Sequence, residues 1–463
     1  MKEKTKKYEV AEVEDESGAR TGAGRLFARV MRKRGFDVDF SELKMPDVKP
    51  SHVWAGIKNA GTNSLNVFNN KVMAFDKPLF ILVIVLLIVG VTMMSSASYA
   101  YALSMQGNSL YFINRQIIFA LIGLILMVAL STVPPDFFKG KNAYIIAGIS
   151  IALLLLVLFL PGKKGVHRWI NLGITTFQPS ELAKFAVIIV CATYIAYHYQ
   201  EMNITTYKTL ESKLKAAKNK RYRIRYDLTR NFQTAVWPFM WRVGIILALV
   251  LKEPHLSCTI IIMLITGTMM LLGGTRKLFF AVLLGVAFAA ICLVIFTGAV
   301  PYAQARVDMW QNPFADAKGE GWQTVQSLYA ISSGGLFGVG FGNSRQKFMY
   351  IAEPQNDFIF AVVCEELGLI GASVIILIFA VFIWRGFAIS IANPDRFQKF
   401  LGIGITSQVG YQMILNIAVV SNLVPNTGIS LPFFSYGGTS LVMLLAEMGV
   451  LLSISRSSPN KIK

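Results

Sequence analysis

The sequence predicts an all-α, polytopic membrane protein of about ten transmembrane helices, and three observations carry that expectation. The 463 residues are 54% hydrophobic and only 15% charged, with a mean hydropathy of +0.52, far from a soluble average. Residues 78–103, 143–160 and 278–300 contain no charge and approach or exceed the ~20 residues needed to cross a bilayer. These runs are continuous rather than alternating, which favours helices over a barrel.

Taken in order, spans are expected near 78–100, 114–133, 143–160, 179–198, 237–251, 256–273, 278–300, 358–384, 401–420 and 436–454. The fifth and sixth are parted only by Lys252-Glu253-Pro254-His255, the weakest division. Residues 1–76 form a polar, charge-mixed tail without the apolar stretch of a signal peptide. The tail is expected to be cytoplasmic and partly disordered, with a basic stretch at 25–34 that interleaves Leu26, Phe27, Val30 and Met31. The transmembrane domain is placed at 77–455 and a short cytoplasmic tail at 456–463.

With the amino terminus inside, most of the 45 Lys and Arg residues fall on the cytoplasmic side, as the positive-inside rule requires. They include those between 208 and 230, Arg276-Lys277, Arg385 and Arg456. The basic segment 211–227 is expected to extend a helix into the cytoplasm. The net charge of +19 is then explained by topology and contact with anionic membrane lipid, not by nucleic acid. Cys191, Cys258, Cys292 and Cys364 lie in apolar stretches without metal-ligand spacing, so they read as small core residues.

This topology leaves two outer loops, 161–178 and 301–357, and the second exceeds the length of an idle connection. Three polar clusters face outward. The first joins Arg168-Trp169 to Gln178-Pro179-Ser180-Glu181 and Lys184. Pro179 and the acid after it suit a helix start, and Glu181 and Lys184 share a helix face. The second gathers Ser344, Arg345 and Lys347 upstream of Asp357, then carries Glu365 and Glu366 inward with the next span. Cations beside a carboxylate suit phosphate chemistry, since cations neutralise leaving-group charge while a carboxylate accepts a proton. Ionisable groups inside a span cost at least ~2.5 kcal/mol each unless paired or hydrated, which marks Glu366 as a functional candidate. The third is Pro425-Asn426-Thr427-Gly428, followed by Pro432 to Ser440 with Ser435 and Tyr436. Taken alone, its Pro/Gly punctuation could simply end one helix and pack the next.

Four segments together resemble a known family: RWINLG with QPSELAK, GWQTVQSLYAISSGGLFGVGFGNSRQK, EPQNDFIFAVVCEELGLIG and PNTGISLPFFSYGGTSL. They are similar in order, spacing and placement to the signatures of the SEDS family (shape, elongation, division and sporulation). The resemblance spans roughly 75–455, and its details are closer to the division and sporulation branches, FtsW and SpoVE, than to the elongation branch, RodA. It implies a ten-helix protein of the bacterial cytoplasmic membrane, both termini cytoplasmic, that polymerises lipid II into glycan strands at the septum. The implied partners are lipid II, the nascent strand, a class B penicillin-binding protein and other division proteins. The implied catalytic residues are Asp357, Lys184 and Glu181; the candidate substrate contacts are Arg168, Trp169, Gln178, Ser344, Arg345, Lys347, Glu366, Ser435 and Tyr436. Lys184 and Asp357 are expected to lie in direct or water-mediated contact.

The resemblance further implies a divalent cation, magnesium or manganese, although no closed ligand set is visible; no organic cofactor is expected. One departure stands out. The family's Glu-Pro-Asp-Leu-Gly-Thr appears as Glu253-Pro254-His255-Leu256-Ser257-Cys258-Thr259, so this turn is left outside the expected site. The competing readings are a lipid II flippase, which would need polar groups through both membrane halves, an elongation-type polymerase and a non-enzymatic scaffold.

Overall fold

A computed structural model of the chain describes residues 75–457, except 161–167, 172, 174, 204–212, 214–216, 254, 283–284, 286–306, 318 and 320. The tail up to residue 74, the predicted span 278–300 apart from 278–282 and 285, and residues 458–463 lie outside the described residues. So do His167, Lys208, Arg306 and Lys318.

Helices α1 (Lys77–Gln106), α2 (Tyr111–Thr132) and α3 (Lys141–Phe159) are followed by a two-stranded hairpin, β1 (Ile170–Asn171) with β2 (Thr176–Phe177). Then come α4 (Pro179–Asn203), α5 (Lys220–Asn231), α6 (Trp237–Lys252) and α7 (Leu256–Gly273). After the undescribed stretch lie α8 (Trp322–Gly334), α9 (Ile359–Ala392), α10 (Arg396–Val420) and α11 (Gly438–Ser457). Among the described residues nine helices are long and apolar enough to cross a membrane, with α5 and α6 counted as one. The chain is a polytopic helical membrane protein.

Local chemistry sets several boundaries. Asp76 accepts a hydrogen bond from the Leu79 amide at 2.9 Å and Pro78 occupies the first turn of α1, the side-chain cap and fixed φ that begin a helix. Gly107 ends α1 in the left-handed conformation, which glycine adopts without steric cost. Of the basic segment 211–227, residues 220–227 lie in α5, which joins α6 through a π-helical turn, Phe232–Val236. The fifth and sixth predicted spans remain separate, divided at 253–255.

Helices α4, α10 and α11 form the centre and are mostly buried, whereas α2 and α9 turn many apolar side chains outward. Ile125, Leu369 and Leu377 are among those exposed side chains, which a bilayer would cover. Small residues let the backbones approach: a Cβ on Gly449 of α11 would strike the Met127 backbone of α2. At one end of the bundle Arg385 donates to Asp76 through Nη2 at 2.6 Å and Nε at 3.1 Å, and the Asp76 amide donates to Ser455 Oγ at 3.0 Å. That clamp ties α1, α9 and α11 together.

The predicted eighth span is not one straight helix. It breaks at Gly368, where φ is 66°, a value β-carbon-bearing residues adopt only with strain. The loop after α8 fills the break: the amides of Val339 and Gly340 donate to the carbonyls of Glu365 and Glu366 at 2.9 and 3.1 Å, and Leu369 and Ile370 donate back to Gly335 and Leu336. The freed backbone groups of the helix are thereby satisfied within the protein.

Candidate active site

One cavity of about 910 Å³ gathers the polar ends of several helices. Its walls come from the starts of α2, α4, α7 and α11, the second half of α10, the hairpin, and the segments before α9 and α11. Arg168, Trp169, Gln178, Glu181, Lys184, Asp357, Ser435 and Tyr436 all line it. The structure brings these eight positions to one cavity.

Asp357 sits just before α9. Its carboxylate has no hydrogen-bond partner among the described residues, while its backbone carbonyl accepts from Asn416 Nδ2 at 2.7 Å. Desolvation by burial, followed by the charge of Glu353, pushes its pKa up to about 6 against the opposing pull of Arg168. The segment is locked from the other side by the third sequence cluster. Ser435 Oγ donates to the Asn356 carbonyl at 2.9 Å, the Tyr436 amide donates to the Gln355 carbonyl at 2.8 Å, and Asn416 also reaches Ile429 at 2.6 Å. Ser435 lines the cavity, yet its hydroxyl also accepts from the Leu431 amide at 2.7 Å. Its evident work is to hold the backbone that aims Asp357. Tyr436 packs edge-on against Phe112, with ring centroids 4.9 Å apart.

Lys184, which also lines the cavity, is buried and pairs with Glu181 at 2.9 Å. Among the described residues Lys184 makes no direct ion pair with Asp357; its ion pair is the local one, to Glu181, three residues back on the same helix. Glu181 shares a helix face with Lys184, whereas the charges felt by Asp357 are those of Glu353 and Arg168. Arg168 is held by its Nε donating to the Glu253 carbonyl at 3.1 Å.

Ser344, Arg345, Lys347 and Glu366 do not line the cavity. Lys347 is buried and donates to Glu366 Oε1 at 2.9 Å, Ser96 Oγ at 3.0 Å and the Gly342 carbonyl at 2.6 Å. All three of its protons are committed, so it has none to offer a diphosphate. Ser344 Oγ and the Arg345 amide bind Glu365, and Ser96 Oγ donates to Glu366 at 2.7 Å. These residues anchor the loop between α8 and α9 to α1 and to the first half of α9. The intramembrane carboxylates of α9 are satisfied by that anchorage.

Sequence reasoning missed the floor and one wall. Gln408 and Gln412, one turn apart on α10, line the cavity, and Gln408 Nε2 donates to the buried Glu447 at 2.7 Å. A pair of buried amides four residues apart was the available signal. His255 and Ser257, from the turn that departs from the family pattern, line it too. The nearby Glu253 is fully buried, and its carboxyl oxygens have no hydrogen-bond partner among the described residues. Burial raises its pKa to about 8 despite Arg168. Among the described residues no group of three or more His, Cys, Asp or Glu side chains is placed to hold a metal ion.

The family model for cell cycle proteins of the FtsW/RodA/SpoVE type matches residues 77–460. The chain is 36% identical over 393 residues to stage V sporulation protein E of Bacillus subtilis, covering 83% of this chain and 97% of that one. It is 33% identical over 389 residues to the probable peptidoglycan glycosyltransferase FtsW of Geobacter sp. strain M18, covering 83% and 98%. The fold is similar to a chain in the solved structure of a peptidoglycan synthase complex, with a TM-score of 0.64 at 24% identity, covering 84% of this chain and 99% of that one. It is also similar to the rod shape determining protein RodA of Thermus thermophilus, with a TM-score of 0.54 at 23% identity over 84% and 98%. This chain belongs to the FtsW/RodA/SpoVE family of cell cycle proteins.

Proposed function

We propose that the protein is a peptidoglycan glycosyltransferase that polymerises lipid II into glycan strands on the outer face of the bacterial cytoplasmic membrane. The observation that carries this is Asp357: a carboxylate unbonded to other side chains, fixed by its backbone, opening into a polar cavity that also holds Arg168 and the Lys184–Glu181 pair. The acceptor sugar's 4-hydroxyl attacks the anomeric carbon of the donor and gives its proton to Asp357. The bond from that carbon to the lipid diphosphate breaks with inversion, and Arg168 faces the departing charge. Apolar faces exposed on α2 and α9 offer the lipid tails a bilayer-continuous path. Labelled lipid II added to the purified full chain tests the reading: glycan strands are expected, and their absence from active-folded protein overturns it.

A pH profile follows from the same carboxylate. Only deprotonated Asp357 serves as base, so kcat/KM is expected to be flat above about pH 6 and to fall roughly tenfold per unit below it. A profile unchanged down to pH 4.5 in protein that stays folded would remove Asp357 as the base.

The cavity-lining residues come from helix ends that the charge distribution assigns to the outer side, which favours polymerisation over transport across both membrane halves. Both termini are then cytoplasmic. Single cysteines at Ala315 and Ala217, in a background lacking the four native cysteines, test the orientation with a membrane-impermeant thiol reagent on cells or spheroplasts. Labelling is expected at 315 alone; labelling at 217 alone would invert the map. A penicillin-binding transpeptidase is the proposed partner, and the division septum or a sporulation septum the proposed site of action.

A further inference from the structure

His255 occupies the turn between α6 and α7 where an acid of the family pattern is missing, and it lines the cavity. Its Nδ1 lies 3.2 Å from Ser180 Oγ and 3.5 Å from Gln178 Nε2. An amide nitrogen only donates, so Nδ1 accepts and the ring proton resides on Nε2. Nε2 has no hydrogen-bond partner among the described residues, which leaves an N–H available to whatever fills the cavity.

The charged and titratable groups around the ring identify what that is. Arg168, before the hairpin, and Lys184 of α4, paired with Glu181, are the charges that act on the ring, while Glu253 and Cys258 flank it along the chain, two residues before and three after. Burial, then the two cations, hold the imidazole down at about pKa 3, so the ring is a neutral donor throughout the physiological range. A neutral N–H beside two cations suits an anionic oxygen, and a diphosphate presents several. An aspartate in the same place would have repelled it or neutralised a cation.

Resting on the polymerase reading, we propose that His255 Nε2–H donates a hydrogen bond to a phosphate oxygen of the lipid-linked diphosphate, with Gln178 and Ser180 as positioning residues that fix the tautomer. His255 binds the leaving group and transfers no proton.

The test uses the full chain labelled with 15N-histidine in detergent micelles, with His255→Gln assigning the resonance among four histidines. The expected signal is a neutral Nε2–H ring that does not titrate from pH 5 to 8 and shifts when farnesyl diphosphate is added. In kinetics, His255→Phe is expected to raise the KM for lipid II about tenfold, the scale of one hydrogen bond to a charged group, with a smaller change in kcat. His255→Gln, whose amide still donates, retains most of the wild-type KM. An Nδ1–H tautomer, a resonance unmoved by the diphosphate, or an unchanged KM in folded His255→Phe each overturns the proposal. Should the phenylalanine variant not fold, the spectra of the wild type and the His255→Gln KM decide it. Wild-type protein that makes no glycan overturns the polymerase reading instead, while the spectra still report on the donor.

Discussion

Asp357→Asn is expected to abolish glycan synthesis by the purified protein, by at least about 10²-fold, while leaving it folded and inserted. The magnitude is that of losing a positioned general base, ~10²–10⁴-fold. The expectation of an intact fold comes from how the residue is held. Asn416 and Ser435 grip the backbone of Asp357 and Asn356 through carbonyl oxygens, which the substitution leaves in place. The carboxylate itself supports nothing, because no described side chain bonds to it. Removing its charge even relieves desolvation and the repulsion from Glu353 that raise its pKa, so thermal stability should hold or rise slightly. Labelled lipid II, followed to glycan strands beside a melting curve, separates the two effects. Normal synthesis by the folded variant would refute the role, and a collapsed melting curve would refute the account of how the segment is held.

The membrane spans were legible because each needs only a long apolar run, and runs are local. Leu256–Gly273 coincides with its expected bounds, and α4 begins at the predicted Pro179. The break in α9 was not legible. Residues 358–384 read as one apolar stretch, and the positive φ of Gly368 accompanies a loop at 335–340 that donates into the carbonyls before it and accepts from the amides after it. The site shows the same division. Glu181 and Lys184 are three residues apart, so their pairing could be read from helix geometry. Whether a motif residue lines a cavity or anchors a loop is set by contacts at long sequence separation. Lys347 reaches Ser96, 251 residues away, and no local pattern distinguishes that from facing a substrate. His255 was passed over for a related reason: it was judged by the acid it replaces, although its contacts with Gln178 and Ser180 arise only when α4 and α7 pack together.

The anchor carries the second large effect. Lys347→Met is expected to destabilise the protein by about 3–5 kcal/mol, the cost of leaving a buried charge without its partner. Glu366 and Lys347 are both nearly inaccessible, and the ammonium joins the loop at Gly342 to Ser96 of α1 and Glu366 of α9. The loss should show as a lower apparent unfolding temperature in detergent and as early proteolysis between residues 335 and 350. Replacing both partners reverses most of it, because the penalty comes from the unpaired carboxylate rather than from the missing contact. Lys347→Met with Glu366→Gln keeps an amide for Ser96 and the Ser344 amide to bond, while removing the charge. The double variant should therefore be more stable than Lys347→Met alone, a coupling that a double-mutant cycle measures directly. A folded double variant that retains glycan synthesis would place the pair in anchorage. Loss of synthesis in both variants at wild-type stability would return Lys347 to the chemistry and contradict its geometry.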